Sequence, residues 1–143
     1  MSTNASMQTE RVAYGRLWWV GLLAVILSLA ANAVVRTIAA MAFNVSPEFT
    51  PFTWGQFIVL DVAGVIGAVI AFAIVGKFSG RPIRAFRRIS VVALILSWLP
   101  DFGLLAASPY PGTTVQAVGS LMFMHVVAAA ISVGLLTTLG REK

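Results

Sequence analysis

The chain lacks cysteine and is poor in charge. None of its 143 residues is cysteine, and only 10% are Asp, Glu, Lys or Arg, whereas soluble domains carry about 25% charged residues. The lack of cysteine excludes disulfides, thiol catalysis and iron–sulfur clusters ligated by this chain. So few charges cannot cover the surface of a water-soluble domain. The composition therefore indicates a membrane-embedded protein.

What the chain has instead is long apolar blocks, and 59% of its residues are hydrophobic. The blocks cover residues 17–43, 54–76, 89–107 and 115–139. A helix needs about 20 apolar residues to cross the hydrocarbon core of a bilayer, and each block is close to that length or longer. The sequence therefore predicts an all-α fold, a bundle of four transmembrane helices over residues 17–139. Short loops connect the helices, with polar tails at residues 1–16 and 140–143.

The first block also has the outline of a secretory signal peptide. Basic residues precede it, and an Ala-x-Ala pattern that suits cleavage lies at residues 31–33. The apolar character continues to Phe43, however, so cleavage would leave an apolar remnant at the new N-terminus. We therefore expect an uncleaved first helix.

The positive charges predict the orientation of the bundle. Nine of the ten Lys and Arg residues lie before the first block, between the second and third, or after the fourth. Cytoplasmic segments of membrane proteins are enriched in Lys and Arg, so both termini and the second connection are expected in the cytoplasm of a multi-pass plasma-membrane protein. Because apolar blocks separate the charges, the net charge of +5 does not indicate nucleic-acid binding.

The second connection is predicted to be a basic loop at the membrane surface. Its basic residues are Lys77, Arg81, Arg84, Arg87 and Arg88. They act at least as an orientation signal, which is the favoured interpretation. They also suit anionic lipids, since each basic residue near the surface contributes about 1 kcal/mol. Phe78, Ile83 and Phe86 alternate with these charges and are expected to dip into the interface.

Five strongly polar side chains lie inside the apolar blocks. They are Asn32, Arg36, Asp61, Asp101 and His125. At the helical rise they lie about 9–15 Å from the outer ends of their helices. Each shares a helical face with small residues, which mark close helix contacts in membranes; on the second helix that face is Asp61, Gly64, Ala68 and Ala71. We therefore predict that they converge into one buried cluster.

Asp101 follows Pro100 in the third block, and a buried carboxylate needs a partner. Arg36 and His125 are the candidates, and Arg36 is expected within reach of Asp101 directly or through one water. One arginine against two aspartates leaves a negative charge, so neutrality requires a protonated His125 or one protonated aspartate.

Two functions are compatible with such a cluster. The first is a centre that binds a solute or responds to protons, because ionisable residues within membranes are functional by default. The alternative is a structural or accessory subunit of a larger membrane complex, with the cluster acting as a helix clamp. An enzyme is the least favoured class. The sequence indicates no cofactor and no metal motif. Its partners are the lipid bilayer and, in either case, a homo- or hetero-oligomer in the membrane.

Three short stretches carry a family resemblance. At "LAANAVVR", "LSWLPD" and "MFMHVVAA" the chain resembles a family of small bacterial four-helix membrane proteins known only as a domain of unknown function. The resemblance covers about residues 17 to 139. It implies a four-helix integral membrane protein and supplies no activity, cofactor or catalytic residue.

Overall fold

Four long helices form the molecule. The computed structural model describes residues 10–143, with helices α1 Leu17–Phe43, α2 Trp54–Phe78, α3 Pro82–Ala107 and α4 Val115–Leu139. Short 3-10 helices at Tyr14–Arg16 and Thr50–Phe52 precede α1 and α2. The four helices contain 27, 25, 26 and 25 residues, so each is about 38–40 Å long. All four are long and apolar enough to cross a membrane, which confirms the predicted four-helix architecture.

Local sequence signals set several helix ends. Thr114 precedes α4, and its side-chain oxygen accepts a hydrogen bond from the Ala117 N–H at 3.1 Å. Helix α3 starts with Pro82, whose missing N–H is not needed in a first turn. Asn44 and Ser108 end α1 and α3 in the left-handed conformation, with φ of 48° and 44°. These signals explain why the apolar blocks end where they do.

The order of the helices in the bundle decides which side chains can meet. Helices α1 and α3 each pack against both α2 and α4, and α2 also touches α4 across the centre. Helices α1 and α3 therefore occupy opposite corners of the bundle and have little contact with each other.

One end of the bundle collects the basic segments. Val12 pairs with Arg141 in an antiparallel bridge, and the Ala13 N–H donates to the Gly140 carbonyl at 2.8 Å. The Glu10 carboxylate accepts a hydrogen bond from the first turn of α3. The N-terminal segment, the α2–α3 connection and the C-terminal segment thus lie together at what we call the basic end.

Two apolar cores lie at the two ends of the bundle, and most of the buried polar residues lie between them. The core at the basic end consists of Val12, Leu17, Val20, Phe72, Ile83, Phe86 and Leu136. The core at the opposite end consists of Ala39, Phe49, Phe52, Phe57, Ala117, Val118 and Met124. Asn32 lies between residues of the two cores along α1, and Asp61 lies between them along α2. Both therefore occupy the middle layer of the bundle.

The distribution of polarity is the reverse of that in a soluble protein. Large apolar side chains face outward, with Phe78 85%, Met41 76% and Trp18 73% exposed. Asn32 and Asp101, in contrast, are only 1% and 5% exposed. An apolar exterior with the few ionisable side chains turned inward is the arrangement that a lipid environment favours.

Part of the predicted N-terminal tail packs onto the bundle. Residues 1–9 lie outside the described residues. Residues 10–16 pack onto the bundle, because Val12 is 4% exposed and the Tyr14 hydroxyl donates to the Ala73 carbonyl at 3.1 Å. A segment this short carries too little apolar periodicity to indicate such packing.

The prediction of a basic loop is also wrong. Helix α2 continues to Phe78 and α3 starts at Pro82, so only residues 79–81 are non-helical. Arg84, Arg87 and Arg88 project from the first two turns of α3. Because arginine is a good helix former, charge alone did not indicate where the helix begins.

Two aromatic or aliphatic residues of this segment are buried rather than interfacial. Ile83 is 7% exposed and Phe86 is 1% exposed, and the Phe86 ring lies 4.9 Å from the ring of Phe72. The expectation that both insert into the membrane interface is therefore wrong, and only Phe78 is exposed.

The packing face of α2 agrees with the predicted one in part, because Ala68 and Ala71 pack against the core at the basic end whereas Gly64 does not. The buried residues of α2 are Phe57, Asp61, Val65 and Phe72. Gly64 is exposed, and a Cβ atom added there would meet nothing within 4 Å. The face follows Asp61 at i±4 spacing through large residues, so small size alone did not identify it.

Candidate functional site

Asp61 is the centre of a buried hydrogen-bond network. Its Oδ1 atom accepts from the Ser28 hydroxyl at 3.0 Å and from the Asn32 amide at 2.6 Å. The same amide nitrogen donates to the Met124 carbonyl at 3.2 Å. We call Ser28, Asn32 and Asp61 the Asp61 network. It joins α1, α2 and α4 through two side chains.

The Asp61 network leaves part of its polar capacity unused. Asp61 Oδ2 and Asn32 Oδ1 are buried and have no hydrogen-bond partner within the described part of the chain. Both are acceptors when Asp61 is ionised. A proton on Asp61 would convert one of them into a donor.

Asp101 meets His125, not Arg36. His125 Nδ1 lies 3.1 Å from Asp101 Oδ2, although neither atom makes a well-aligned hydrogen bond. The Asp101 side chain is 7% exposed and that of His125 is 39% exposed. We call these two residues the Asp101–His125 pair. With one proton between the two side chains the pair carries no net charge.

Neighbouring contacts position this pair between α3 and α4. The Trp98 Nε1–H donates to the Met122 carbonyl at 3.2 Å, about one turn from both members of the pair. Helix α3 continues through Pro100 without interruption. The pair therefore lies on two adjacent helices that are already fixed to each other.

Arg36 is anchored toward the end of the bundle that lies opposite the basic end. Its Nε–H donates to the Phe52 carbonyl at 2.6 Å. Its guanidinium lies 4.2 Å from the ring centroid of Trp54 and 5.5 Å from that of Phe52, within the range of cation–π attraction. Arg36 thus holds the α1–α2 connection.

The predicted contact between Arg36 and Asp101 is wrong. Arg36 lies on α1 and Asp101 on α3, and these helices occupy opposite corners of the bundle. Arg36 is satisfied by a carbonyl and two aromatic faces, which is a common way for arginine to replace a carboxylate partner.

The five predicted polar residues therefore form three groups instead of one cluster. These are the Asp61 network, the Asp101–His125 pair and Arg36 with its aromatic partners. Within residues 10–143 the Asp101–His125 pair is the one contact between a carboxylate and a cationic or protonatable side chain at ion-pair distance. It is therefore the candidate functional site.

Some partners in these groups were not predicted as site residues. Ser28 shares the face of Asn32 at i−4 spacing, and its hydroxyl was a signal for the Asp61 network. The carbonyls of Phe52 and Met124 carry no such signal, because every residue has a carbonyl. For Trp54 as a partner of Arg36, the only signal in the sequence was its position at the start of a predicted helix.

The basic residues of the second connection occupy several positions at the basic end. Lys77 lies in the last turn of α2, and Arg81 immediately precedes α3. The Arg84 backbone N–H lies 3.4 Å from the Glu10 carboxylate. Arg87 reaches α4, where its Nη2 donates to the Thr137 hydroxyl at 3.3 Å. The five residues thus surround the basic end without forming one loop.

The fold and the buried ionisable groups define the class of protein. Four apolar helices of membrane-spanning length, with acidic side chains inside, fit a multi-pass membrane protein.

The chain belongs to the family of unknown function DUF6069, whose model matches residues 12–142. This membership confirms the resemblance found in the sequence. Searches among curated proteins and among solved structures gave no significant match.

Proposed function

We propose that this protein is a proton-responsive membrane protein and that the Asp101–His125 pair is its proton-binding centre. The observation that carries the proposal is the 3.1 Å distance between His125 Nδ1 and Asp101 Oδ2 inside a membrane-spanning bundle. Asp101 is buried while His125 is partly exposed, so protons reach the pair through the imidazole.

The charge of the pair explains why it responds to protons. A charge in the middle of a bilayer costs about 2.5–3.5 kcal/mol on translocon scales. One shared proton keeps the pair neutral. Uptake of a second proton or loss of the first leaves one net charge between α3 and α4, and either change alters their packing.

The other charged groups inside the bundle are less suited than this pair to act as the proton-binding centre. Arg36 is held by Phe52 and Trp54, and Asp61 by Ser28 and Asn32. Each already has partners on other elements. The Asp101–His125 pair is thus the group whose state depends most directly on a single proton.

The proton-responsive function is better supported than solute binding. The two grooves described for the bundle are lined mainly by apolar residues, and none of the five predicted polar residues lines either of them. Neither groove therefore supports a polar solute at the pair, whereas a proton needs no groove.

We place the basic end in the cytoplasm and the protein in the plasma membrane. The concentration of Lys and Arg at this end supports that orientation. Asp101 then lies six residues before the outer end of α3, about 9 Å deep at the helical rise. The pair therefore samples the proton concentration outside the cell.

Infrared difference spectroscopy of the protein in lipid bilayers tests the proposal. Changing the pH between about 5 and 8, where histidine changes charge, is expected to alter the carboxyl band of the wild type. The band should be absent in Asp101→Asn, altered in His125→Gln and retained in Asp61→Asn. A wild type without a pH-dependent carboxyl band, or a band that persists in Asp101→Asn, would contradict the proposal.

A second function, a structural or accessory subunit, is supported by the Asp61 network. One carboxylate and one amide connect three helices, as a clamp requires. Replacing a buried polar set by apolar residues often preserves stability. The double substitution Asn32→Leu with Asp61→Leu should therefore fold as well as the wild type if the network is only a clamp. Loss of the pH-dependent carboxyl band in this variant would show that the network also serves the proton response.

A further inference from the structure

We propose a binding site for an anionic phospholipid in the groove between α3 and α4 at the basic end. The groove has a volume of about 340 Å³. Its lining residues are Arg87, Ser90, Val91, Leu94, Val126, Ala129, Ala130 and Val133. Arg87 is the charged residue of this lining, and six of the others are apolar.

The groove exists because α3 contacts the bundle mainly near its two ends. Phe86 packs against Phe72 near the start of α3, and Asp101 meets His125 near its end. No residue of α3 between Phe86 and Asp101 is buried. On the facing side, Ala129 and Ala130 leave space that larger side chains would fill.

The shape of the groove suits one acyl chain. The lining residues of α3 and of α4 each span eight positions, from Arg87 to Leu94 and from Val126 to Val133. The seven helical rises between the first and the last position correspond to about 10 Å. The slot therefore runs from the charged end of the bundle toward the middle of the membrane, as a lipid chain does.

Arg87 is placed to bind the headgroup. Its Nη2 donates to the Thr137 hydroxyl, which directs the guanidinium toward α4 at the mouth of the groove. That contact uses one of the five N–H donors of a guanidinium. The forked arrangement of the guanidinium donors suits the oxygens of a phosphate. Basic pockets between transmembrane helices on the cytoplasmic side bind anionic headgroups.

The surrounding charges favour an anion. Arg84 and Arg88 flank Arg87 in the same two turns and are exposed. Glu10 and Glu142 are the acidic side chains of the basic end, and the Glu10 carboxylate accepts the Ile83 N–H at the start of α3. The three arginines outnumber these two carboxylates, so the mouth of the groove is positively charged.

Lipid retention measured with spin-labelled lipids tests the site. The protein would be placed in phosphatidylcholine bilayers containing a trace of acyl-labelled phosphatidylglycerol or, separately, labelled phosphatidylcholine. The wild type should immobilise the anionic lipid more strongly than the neutral one. Arg87→Gln should weaken this preference about fivefold, because it removes the charge that lines the groove and would contact the headgroup directly.

Two further variants separate the site from general surface charge. Arg81→Gln removes the same charge at the same end but lies outside the groove, and it should retain most of the preference. Ala130→Leu fills the groove, keeps every charge and should release the anionic lipid. Equal effects of Arg81→Gln and Arg87→Gln, or full retention in Ala130→Leu, would overturn the proposal. Melting temperatures in detergent verify that each variant is folded.

Discussion

The number of hydrogen-bond partners of each buried polar side chain determines how much its removal is expected to destabilise this protein. Asp61 accepts two hydrogen bonds at one oxygen, and Asn32 bridges Asp61 and the Met124 carbonyl. Removing a buried donor leaves its acceptor without compensation, which costs more than the hydrogen bond itself contributes. The two donors to Asp61 are therefore not equivalent, because only Asn32 serves two acceptors.

Asn32→Ala is predicted to lower the free energy of unfolding by about 1–3 kcal/mol, since it removes one of the two donors to Asp61 Oδ1 and the side-chain donor to the Met124 carbonyl. Ser28→Ala is the matched control. It leaves the Asn32 contact intact and should cost about 0.6 kcal/mol, the typical value for one hydrogen bond within a membrane. Denaturation in mixed micelles measures both. Equal costs for the two variants would contradict the proposed network.

At the residue scale, the sequence identified the polar residues and named His125 as one candidate partner of Asp101, but it favoured Arg36 and did not identify the other contacts. Asn32, Asp61, Asp101 and His125 were recognisable because each interrupts an apolar block. Their pairing depended on the order of the helices around the bundle and on backbone carbonyls. Neither property is expressed in side-chain chemistry, which is why Arg36 was assigned the wrong partner.

At the scale of single helices, the length of the apolar blocks predicted the helix boundaries well, whereas the positions of the charges did not. Helices α1 and α4 begin and end at the predicted residues, since both lie between polar or proline-containing segments. Helix α3 begins seven residues earlier than expected, because its first two turns are basic. Glu10 interacts with these turns from a distant part of the chain, which no local pattern indicates.

The packing of α2 leads to a prediction about its glycines. A Cβ atom at Gly76 would lie 2.6 Å from both the Tyr14 hydroxyl and a methyl group of Val12, whereas at Gly64 it would meet nothing within 4 Å. Gly76→Ala should displace the N-terminal segment and lower the free energy of unfolding by about 1–3 kcal/mol. Gly64→Ala should be neutral or stabilising, because alanine favours helix.

Thermal denaturation of the two glycine variants in the same detergent provides the comparison. If Gly64→Ala lowered the free energy of unfolding as much as Gly76→Ala, α2 would pack through the face of small residues expected from the sequence. Protection from hydrogen exchange of the Ala13 and Glu142 amides, which donate to the Gly140 and Arg11 carbonyls, reports the displacement of the N-terminal segment directly.

For the whole molecule, the arrangement of charges determines the proposed orientation. The lack of cysteine makes labelling unambiguous, since each introduced thiol reports one position. Glu48→Cys should react with a membrane-impermeant thiol reagent in intact cells. Arg81→Cys should react only after permeabilisation, because the basic end is expected in the cytoplasm. The opposite result would invert the orientation and place the Asp101–His125 pair nearer the cytoplasm.

The central claim is that His125 and Asp101 share a proton within the bundle, and nitrogen NMR of His125 tests it most directly. His125 is the one histidine of the chain, so ¹⁵N-histidine labelling yields the signals of this imidazole alone. In lipid bilayers, its two ring-nitrogen signals should change as the pH is lowered. Asp101→Asn should move that transition, while Asp61→Asn should leave it in place. Identical titrations in the wild type and Asp101→Asn would contradict the account.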